Sequence, residues 1–157
     1  MKIRTIVFTL AVCFIGTTLC FAQKSFKGFM GTWKLNEAKS KLAPGAPRNS
    51  TVVYEPSGGS VKVTIDGTDA SGNPTHNEWT GKFDGNDYPV TGDPSSDTRS
   101  VEFRNPHHLA FKVKKGGKVT ASGAISLSPD RRSRTVDSTT KDAQGKKVKS
   151  SAVYDKV

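Results

Sequence analysis

The chain has 157 residues and a formal charge of +10, from 24 Lys and Arg against 14 Asp and Glu. Fifteen apolar residues fall in the first 22 positions, and the other 135 residues carry a charge of +8 and only 29 large aliphatic or aromatic side chains. This apolar content is near the lower limit for a globular domain, so it excludes a second core and predicts one domain over residues 23–157.

The N-terminus has the pattern of a secretory signal peptide. Lys2 and Arg4 precede an uncharged run over residues 6–15, and Cys20 and Ala22 supply small residues for cleavage. We predict that residues 1–22 are removed and that the protein is secreted or periplasmic. The run is short for a membrane span and no second run follows, so we expect no transmembrane span after processing. The alternatives are an uncleaved membrane anchor and a lipoprotein modified at Cys20. Cleavage would leave a domain without cysteine, hence without disulfides or thiolate sites.

Downstream of residue 23, apolar residues alternate with polar ones at period two. Val61, Val63 and Ile65 are the clearest case, and turn residues such as Gly116 and Gly117 separate the segments. The connections are short enough for sequential antiparallel pairing. The pattern predicts ten strands, near residues 31–36, 50–55, 60–66, 75–83, 87–90, 98–104, 108–114, 118–127, 133–139 and 147–155.

Residues 36–42 are the one stretch that favours a helix. Asn36 can cap its first turn, and Pro44 and Gly45 would end it. The segment predicts a connecting helix of about two turns.

The apolar residues are too few to fill both layers of a well-packed sandwich. A closed barrel needs only one apolar inner face and leaves no free sheet edge. We therefore predict an all-β fold, an antiparallel up-and-down meander closed into a barrel of 8 to 10 strands. A β-sandwich is the alternative.

The two ends of the domain resemble the calycin superfamily, in which lipocalins and intracellular fatty-acid-binding proteins begin with a Gly-x-Trp strand. Here Gly31 and Trp33 occupy that motif within residues 29–35, and residues 152–157 resemble the last strand of the fatty-acid-binding proteins. Residues 31–36 and 88–94 are also similar to secreted bacterial lipocalin-like proteins of unassigned function.

The resemblance implies several residue roles. Trp33 would plug the closed end of the barrel, and Gly31 would allow close backbone approach. A basic side chain of the last strand would lie over the Trp33 ring, and this strand offers Lys149. Fatty-acid-binding proteins hold a carboxylate with an Arg two residues before the terminal Tyr. This chain has Ala152 there, so only Tyr154 carries over.

The leading functional prediction is binding of a small apolar or amphipathic molecule in the barrel interior. Ala121 and Gly123 share the inward parity and hint at inner space that larger residues would otherwise fill. The apolar residues of inward parity could instead be close-packed core, and for any single one of them this is the favoured interpretation. The candidate lining residues are Val61, Val63, Ile65, Trp79, Phe103, Phe111 and Ile125, with Tyr154 as a polar contact.

Signals of catalysis are missing from the sequence. It has no Gly-x-Ser-x-Gly elbow and no phosphate-binding loop, so we expect a protein that is not an enzyme and has no cofactor. His107 and His108 are adjacent on a strand and point to opposite faces. His76 and Glu78 share a face, but two side chains facing solvent are the simpler interpretation, and we expect no metal site.

Residues 84–97 are the most distinctive local segment, with four carboxylates among turn residues. These could gather around Ca²⁺, although the spacing does not match an EF-hand, or could cap an ordinary structural loop. A third possibility is a loop lip over the barrel mouth that contacts a ligand. The residues assigned to this lip are Asp87, Tyr88, Asp93 and Asp97.

All the excess charge lies in the last third of the chain. Residues 23–105 hold 10 basic and 10 acidic side chains, whereas residues 106–157 hold 12 basic and 4 acidic ones. The alternative function is therefore an envelope interaction module or barrel-type inhibitor that binds an anionic lipid, a polysaccharide or an acidic protein. We expect a monomer and no nucleic-acid partner, because aromatic residues are not interleaved with the lysines. The predicted basic outer face comprises Lys112, Lys114, Lys118, Arg132, Arg134, Lys147 and Lys149.

Overall fold

A computed structural model describes residues 26–142 and 144–157. The predicted signal peptide and its alternatives lie outside these residues. No helix in the described part is long and apolar enough to cross a membrane. The described residues form ten strands: β1 (Gly31–Leu35), β2 (Arg48–Ser57), β3 (Ser60–Thr68), β4 (Pro74–Gly81), β5 (Tyr88–Thr91), β6 (Thr98–Asn105), β7 (His108–Lys115), β8 (Lys118–Leu127), β9 (Ser133–Lys141) and β10 (Lys147–Lys156).

The strands form a closed antiparallel barrel in which each strand pairs with its neighbours in sequence. β1 closes the barrel against β10, with Trp33 opposite Lys156 and Leu35 opposite Tyr154. The predicted fold class is confirmed, and the sandwich alternative is wrong. Observed strand limits fall within two residues of the predicted ones.

The predicted two-turn helix over residues 36–42 is wrong in length. Only a single 3₁₀ turn forms, Glu37–Lys39, and the Asn36 side chain caps it by accepting a hydrogen bond from the Lys39 amide. Beyond it, Lys41 pairs with Ser151 beside the sheet, so the backbone that would continue the helix pairs with β10 instead. Tertiary pairing here overrides a weak helical propensity.

An up-and-down meander places alternate connections at opposite ends of the barrel. We call one the aromatic end; it holds residues 26–30 and the β2–β3, β4–β5, β6–β7 and β8–β9 connections. The other is the lysine end, with the 3₁₀ turn and the β3–β4, β5–β6, β7–β8 and β9–β10 connections.

One apolar cluster fills the barrel between these two ends. Residues 26–30 fold under the aromatic end, where the Phe26 ring packs edge-on against Phe83 and Phe103 at centroid distances of 5.2 and 5.6 Å. Phe29 and Trp33 are completely buried. The Trp33 indole Nε1 donates to the Phe29 carbonyl oxygen at 2.8 Å, which satisfies the polar atom of the buried ring.

Candidate functional site

Arg134 lies inside the barrel near the aromatic end, as the second residue of β9, with only 1 % of its surface exposed. Its guanidinium carbon is 4.7 to 4.9 Å from the ring centroids of Trp33, Tyr54 and Tyr154. These are cation–π distances, and the three rings offset part of the cost of burying the charge. Its predicted place on the outer face is therefore wrong. Arg134 has the same strand parity as Val136, and that parity directs its side chain inward.

A second cation lies over Trp33, and it is not Lys149. The Lys156 ammonium is 5.1 Å from the centroid of the Trp33 ring and donates to the Gly28 carbonyl oxygen at 3.2 Å. Burial, followed by the Arg131 and Arg134 charges, lowers the pKa of Lys156. Lys149 is exposed because its parity on β10 is opposite to that of Lys156. The basic contact implied by the resemblance therefore comes from Lys156 and Arg134.

The polar groups of the interior are incompletely paired. In the described part of the chain, Nε and Nη1 of Arg134, Nε of Arg99 and Oδ1 of Asn77 are buried without a hydrogen-bond partner. Burial raises the pKa of Tyr154 to about 12, and the nearby Arg134 charge opposes the shift. The phenol of Tyr154 therefore stays protonated at any physiological pH.

Most of the predicted lining residues are packed core. Phe103 and Phe111 are partly buried against the central cluster, and Gly123 leaves no space. A methyl group on Gly123 would overlap the Asp137 carbonyl oxygen and lie 2.9 Å from the Phe111 ring. The cavity expected at this glycine is absent because the neighbouring strand and ring already fill the position. The residues buried in the cluster are Val61, Val63, Ile65, Trp79, Ile125 and Tyr154.

A cleft of about 250 Å³ opens at the aromatic end, between residues 26–30 and the β2–β3 hairpin. Among the predicted lining residues only Val61 contributes to it. The cleft is half open to solvent, mostly apolar, and has one cationic side chain, that of Lys27. Its lining residues are Phe26, Lys27, Met30, Pro56, Gly59, Ser60 and Val61.

β5 divides the acidic segment 84–97, and the carboxylates do not surround a common point. Asp84 accepts hydrogen bonds from Asn86 and the Tyr88 hydroxyl, and Asp87 pairs with Lys114 at 2.6 Å. Asp97 accepts from the Gly116 amide at 2.7 Å. Each carboxylate thus serves protein donors, as expected for capped structural turns.

Asp93 forms the most buried ion pair among the described residues, with Arg99. The pair is 2.8 Å long and its two side chains are 13 and 14 % exposed. Burial by itself would raise the pKa of Asp93, but hydrogen bonds from Ser95 and Ser96 and the Arg99 charge outweigh it and lower the pKa. These contacts tie the β5–β6 connection to the barrel wall. Asp93 therefore has a structural role, which is to hold the β5–β6 connection against β6.

The histidines lie apart from one another; His107 is half-buried, with its Nδ1 3.2 Å from the Leu127 carbonyl oxygen. His76 Nδ1 is 2.6 Å from an Asp66 carboxylate oxygen, and Nε2 is 3.7 Å from Glu78. His108 contacts the Ser126 hydroxyl. Within residues 26–142 and 144–157, no three His, Cys, Asp or Glu side chains are grouped as metal ligands.

The sequence reasoning missed six of the seven cleft residues. Residues 26–30 precede the first predicted strand, so strand periodicity could not assign them a face. Phe26, Phe29 and Met30 nevertheless indicated a buried segment. Three large apolar residues within five positions, next to a barrel end, form an apolar patch that packing against that end removes from water.

Comparisons with known proteins give a general likeness only. No family model and no curated protein matches the chain. Similar solved structures include EF1p2_mFAP2b bound to DFHBI, at TM-score 0.47 and 12% identity over 87% of this chain and 97% of that one. The redesigned β-barrel mFAP1 bound to DFHBI gives 0.45 and 14% over 84% and 98%. A de novo designed fluorescence-activating β-barrel gives 0.42 and 15% over 87% and 96%. Values this low identify neither a family nor a ligand.

Proposed function

We propose that the protein is an exported β-barrel binding protein that holds a small amphipathic molecule at the aromatic end. The observation that carries the proposal is the cleft of about 250 Å³ with four apolar side chains and one lysine. Ligand pockets typically measure about 300–1,000 Å³, so this cleft fits a small ligand or one end of a longer one. The packed centre of the barrel would serve as its rigid floor.

The lining suggests how such a ligand would lie. Its apolar part would rest on Phe26, Met30 and Val61, where burial removes hydrocarbon from water. An anionic group would remain at the solvent side, close to the Lys27 ammonium. The ligand class proposed is therefore an apolar chain or ring with one negative charge.

The wider parts of the proposal rest on sequence and on barrel architecture. Residues 1–22 support export to the periplasm or medium. Gly31, Trp33 and the cations over the Trp33 ring support a place among lipocalin-like proteins. We propose binding rather than catalysis, without a cofactor, by a monomer whose closed sheet leaves no free edge.

The test is titration with the anionic apolar probe 1-anilinonaphthalene-8-sulfonate, together with native mass spectrometry and solvent extraction of the purified protein. Val61→Phe fills the cleft and is expected to weaken probe binding roughly tenfold or more. Lys27→Glu reverses the charge beside the proposed anion and is expected to weaken binding about fivefold.

Matched controls separate the cleft from general effects. Val148→Phe enlarges a half-buried residue at the lysine end, and Lys34→Glu reverses an exposed charge on β1. Both should bind the probe as the unaltered protein does. A clean apo mass with no probe binding, or equal losses in the controls, would contradict the proposal.

A further inference from the structure

The lysine end carries a dense group of exposed lysines on two neighbouring hairpins. The β7–β8 and β9–β10 hairpins lie side by side because β8 pairs with β9, with Ala121 opposite Thr140. On the outer face below them, Lys112, Ser122, Thr139 and Lys149 form one cross-strand row. We define the lysine cluster as Lys112, Lys115, Lys118, Lys141, Lys146, Lys147 and Lys149, all of which are exposed.

Like charges face each other within this cluster. Lys115 is the cross-strand partner of Lys118, and Lys147 is the partner of Lys141. Like charges directly opposite each other on a sheet are destabilising. Within the described part of the chain, no member of the cluster forms an ion pair; the lysine of this region that does so is Lys114, with Asp87. The arrangement therefore concentrates positive charge at a cost to folding.

The nearby carboxylates do not neutralise the cluster. Asp97 accepts a hydrogen bond from the Gly116 amide, and Asp142 accepts from the amides of Gln144 and Lys146. Both carboxylates accept hydrogen bonds from turn amides, and seven lysines outnumber them.

The predicted basic face differs from the observed one at three residues. Arg132 lies at the aromatic end, Arg134 is inside the barrel, and Lys114 is paired with Asp87.

An exposed apolar side chain lies on the β7–β8 hairpin, which carries three lysines of the cluster. Val119 is 50 % exposed and follows Lys118 directly. The register shift at Val113 and Lys114 places Val119 opposite Lys114, out of the inward row that Ala121 continues. Lysines on the same hairpin as an exposed apolar residue match the boundary of an anionic bilayer, which offers phosphate charge outside and hydrocarbon beneath. A polyanion such as a polysaccharide would satisfy the lysines but leave Val119 without a partner.

We infer that the lysine end docks on an anionic phospholipid surface through the lysine cluster, with Val119 entering the headgroup region. The docking surface is at the opposite end of the barrel from the proposed ligand cleft. The inference is therefore independent of the proposed function, and the cleft remains accessible on the docked protein.

The experiment is vesicle co-sedimentation of the processed protein. Vesicles of phosphatidylcholine that contain about 30 mol % of the anionic lipid phosphatidylglycerol are compared with vesicles of phosphatidylcholine alone. Binding should be confined to the anionic vesicles and should weaken as salt rises. The triple variant Lys115→Gln, Lys118→Gln, Lys147→Gln is expected to bind about a hundredfold more weakly, at about fivefold per lysine.

The matched control is the triple variant Lys34→Gln, Lys82→Gln, Arg132→Gln, which removes equal charge from exposed positions outside the cluster. It should keep most of the binding, as should Lys27→Glu in the ligand cleft. Val119→Ser should reduce binding about two- to fivefold, and the loss should persist at higher salt.

Three results would overturn the inference. One is equal weakening by the two triple variants, which would indicate net charge alone. Another is equal binding to vesicles without phosphatidylglycerol. The third is retention on alginate that depends on the three cluster lysines, with no sedimentation on anionic vesicles, which would identify a polysaccharide surface instead.

Discussion

The aromatic end and the lysine end of the barrel are built by different physical means. At the aromatic end, residues 26–30 cover the opening with buried rings, and backbone carbonyls of this segment accept hydrogen bonds from Trp33 and Lys156. At the lysine end, Asp93 and Arg99 anchor one connection, and two further hairpins expose unpaired lysines. One end is thus stabilised by burial, and the other is polar and locally repulsive.

This difference places most apolar burial at one end of a small domain and most exposed charge at the other. Apolar side chains are scarce in this chain, and the central cluster and the aromatic end use most of them. The lysine end consists of short turns in which Asp side chains accept hydrogen bonds from backbone amides. Substitutions at the two ends should accordingly differ in size and in their dependence on pH and salt.

Trp33→Ala should have the largest effect. It removes a completely buried ring, the aromatic surface under two cations and the donor to the Phe29 carbonyl. We expect the free energy of unfolding to fall by about 3–5 kcal/mol. Urea unfolding followed by the fluorescence of Trp79 measures this loss. Trp33→Phe keeps a buried aromatic ring beneath the two cations and lacks only the indole donor, so it should lose clearly less. Equal losses would contradict the role assigned to ring burial and the cation–π contacts.

Asp93→Asn should rank second, with a loss of about 3 kcal/mol, because it leaves the Arg99 charge buried without its counter-ion. The pKa of Asp93 is lowered from its ordinary value of 3.8, so its stabilising effect is present above that pH. As the pH falls through the lower folded pKa, this effect is lost. The unaltered protein should approach the variant in stability in strong acid. If the two proteins differed by the same free energy of unfolding down to about pH 2, this assignment would be contradicted.

Gly31→Ala should cost about 2 kcal/mol. Gly31 has a φ of +104°, and an added methyl group would lie 3.2 Å from Cε of Lys156. Gly117→Ala, at a φ of +73° in an open turn of the lysine end, is the control and should cost about 1 kcal/mol. Thermal unfolding of both variants gives the comparison. A larger loss at Gly117 would mean that the close contact with Lys156 is unimportant.

Asp87→Asn should have the smallest effect, below about 1 kcal/mol. Its pair with Lys114 is short, at 2.6 Å, but the carboxylate is 39 % exposed and solvent screens the attraction. Unfolding at two salt concentrations measures it, and the small difference should shrink at the higher one. A loss as large as that of Asp93→Asn would overturn the distinction between buried and exposed ion pairs in this barrel.

Much of the fold could be predicted because it depends on local pattern. The alternation around Val61, Val63 and Ile65 and the glycine turns determined strand number and order. The site was predicted less well. Arg134 was assigned outward by its charge although its parity with Val136 indicated the interior, and the space expected at Gly123 is filled by Phe111 and the neighbouring backbone.

By itself, the sequence determined the antiparallel meander and the concentration of positive charge in the last third of the chain, because strand alternation and composition are local properties. Only the tertiary structure decided that Arg134 lies among three rings, that Lys156 covers Trp33, and that a cleft of about 250 Å³ opens beside residues 26–30. These features depend on register and barrel closure, which bring together side chains far apart in the chain.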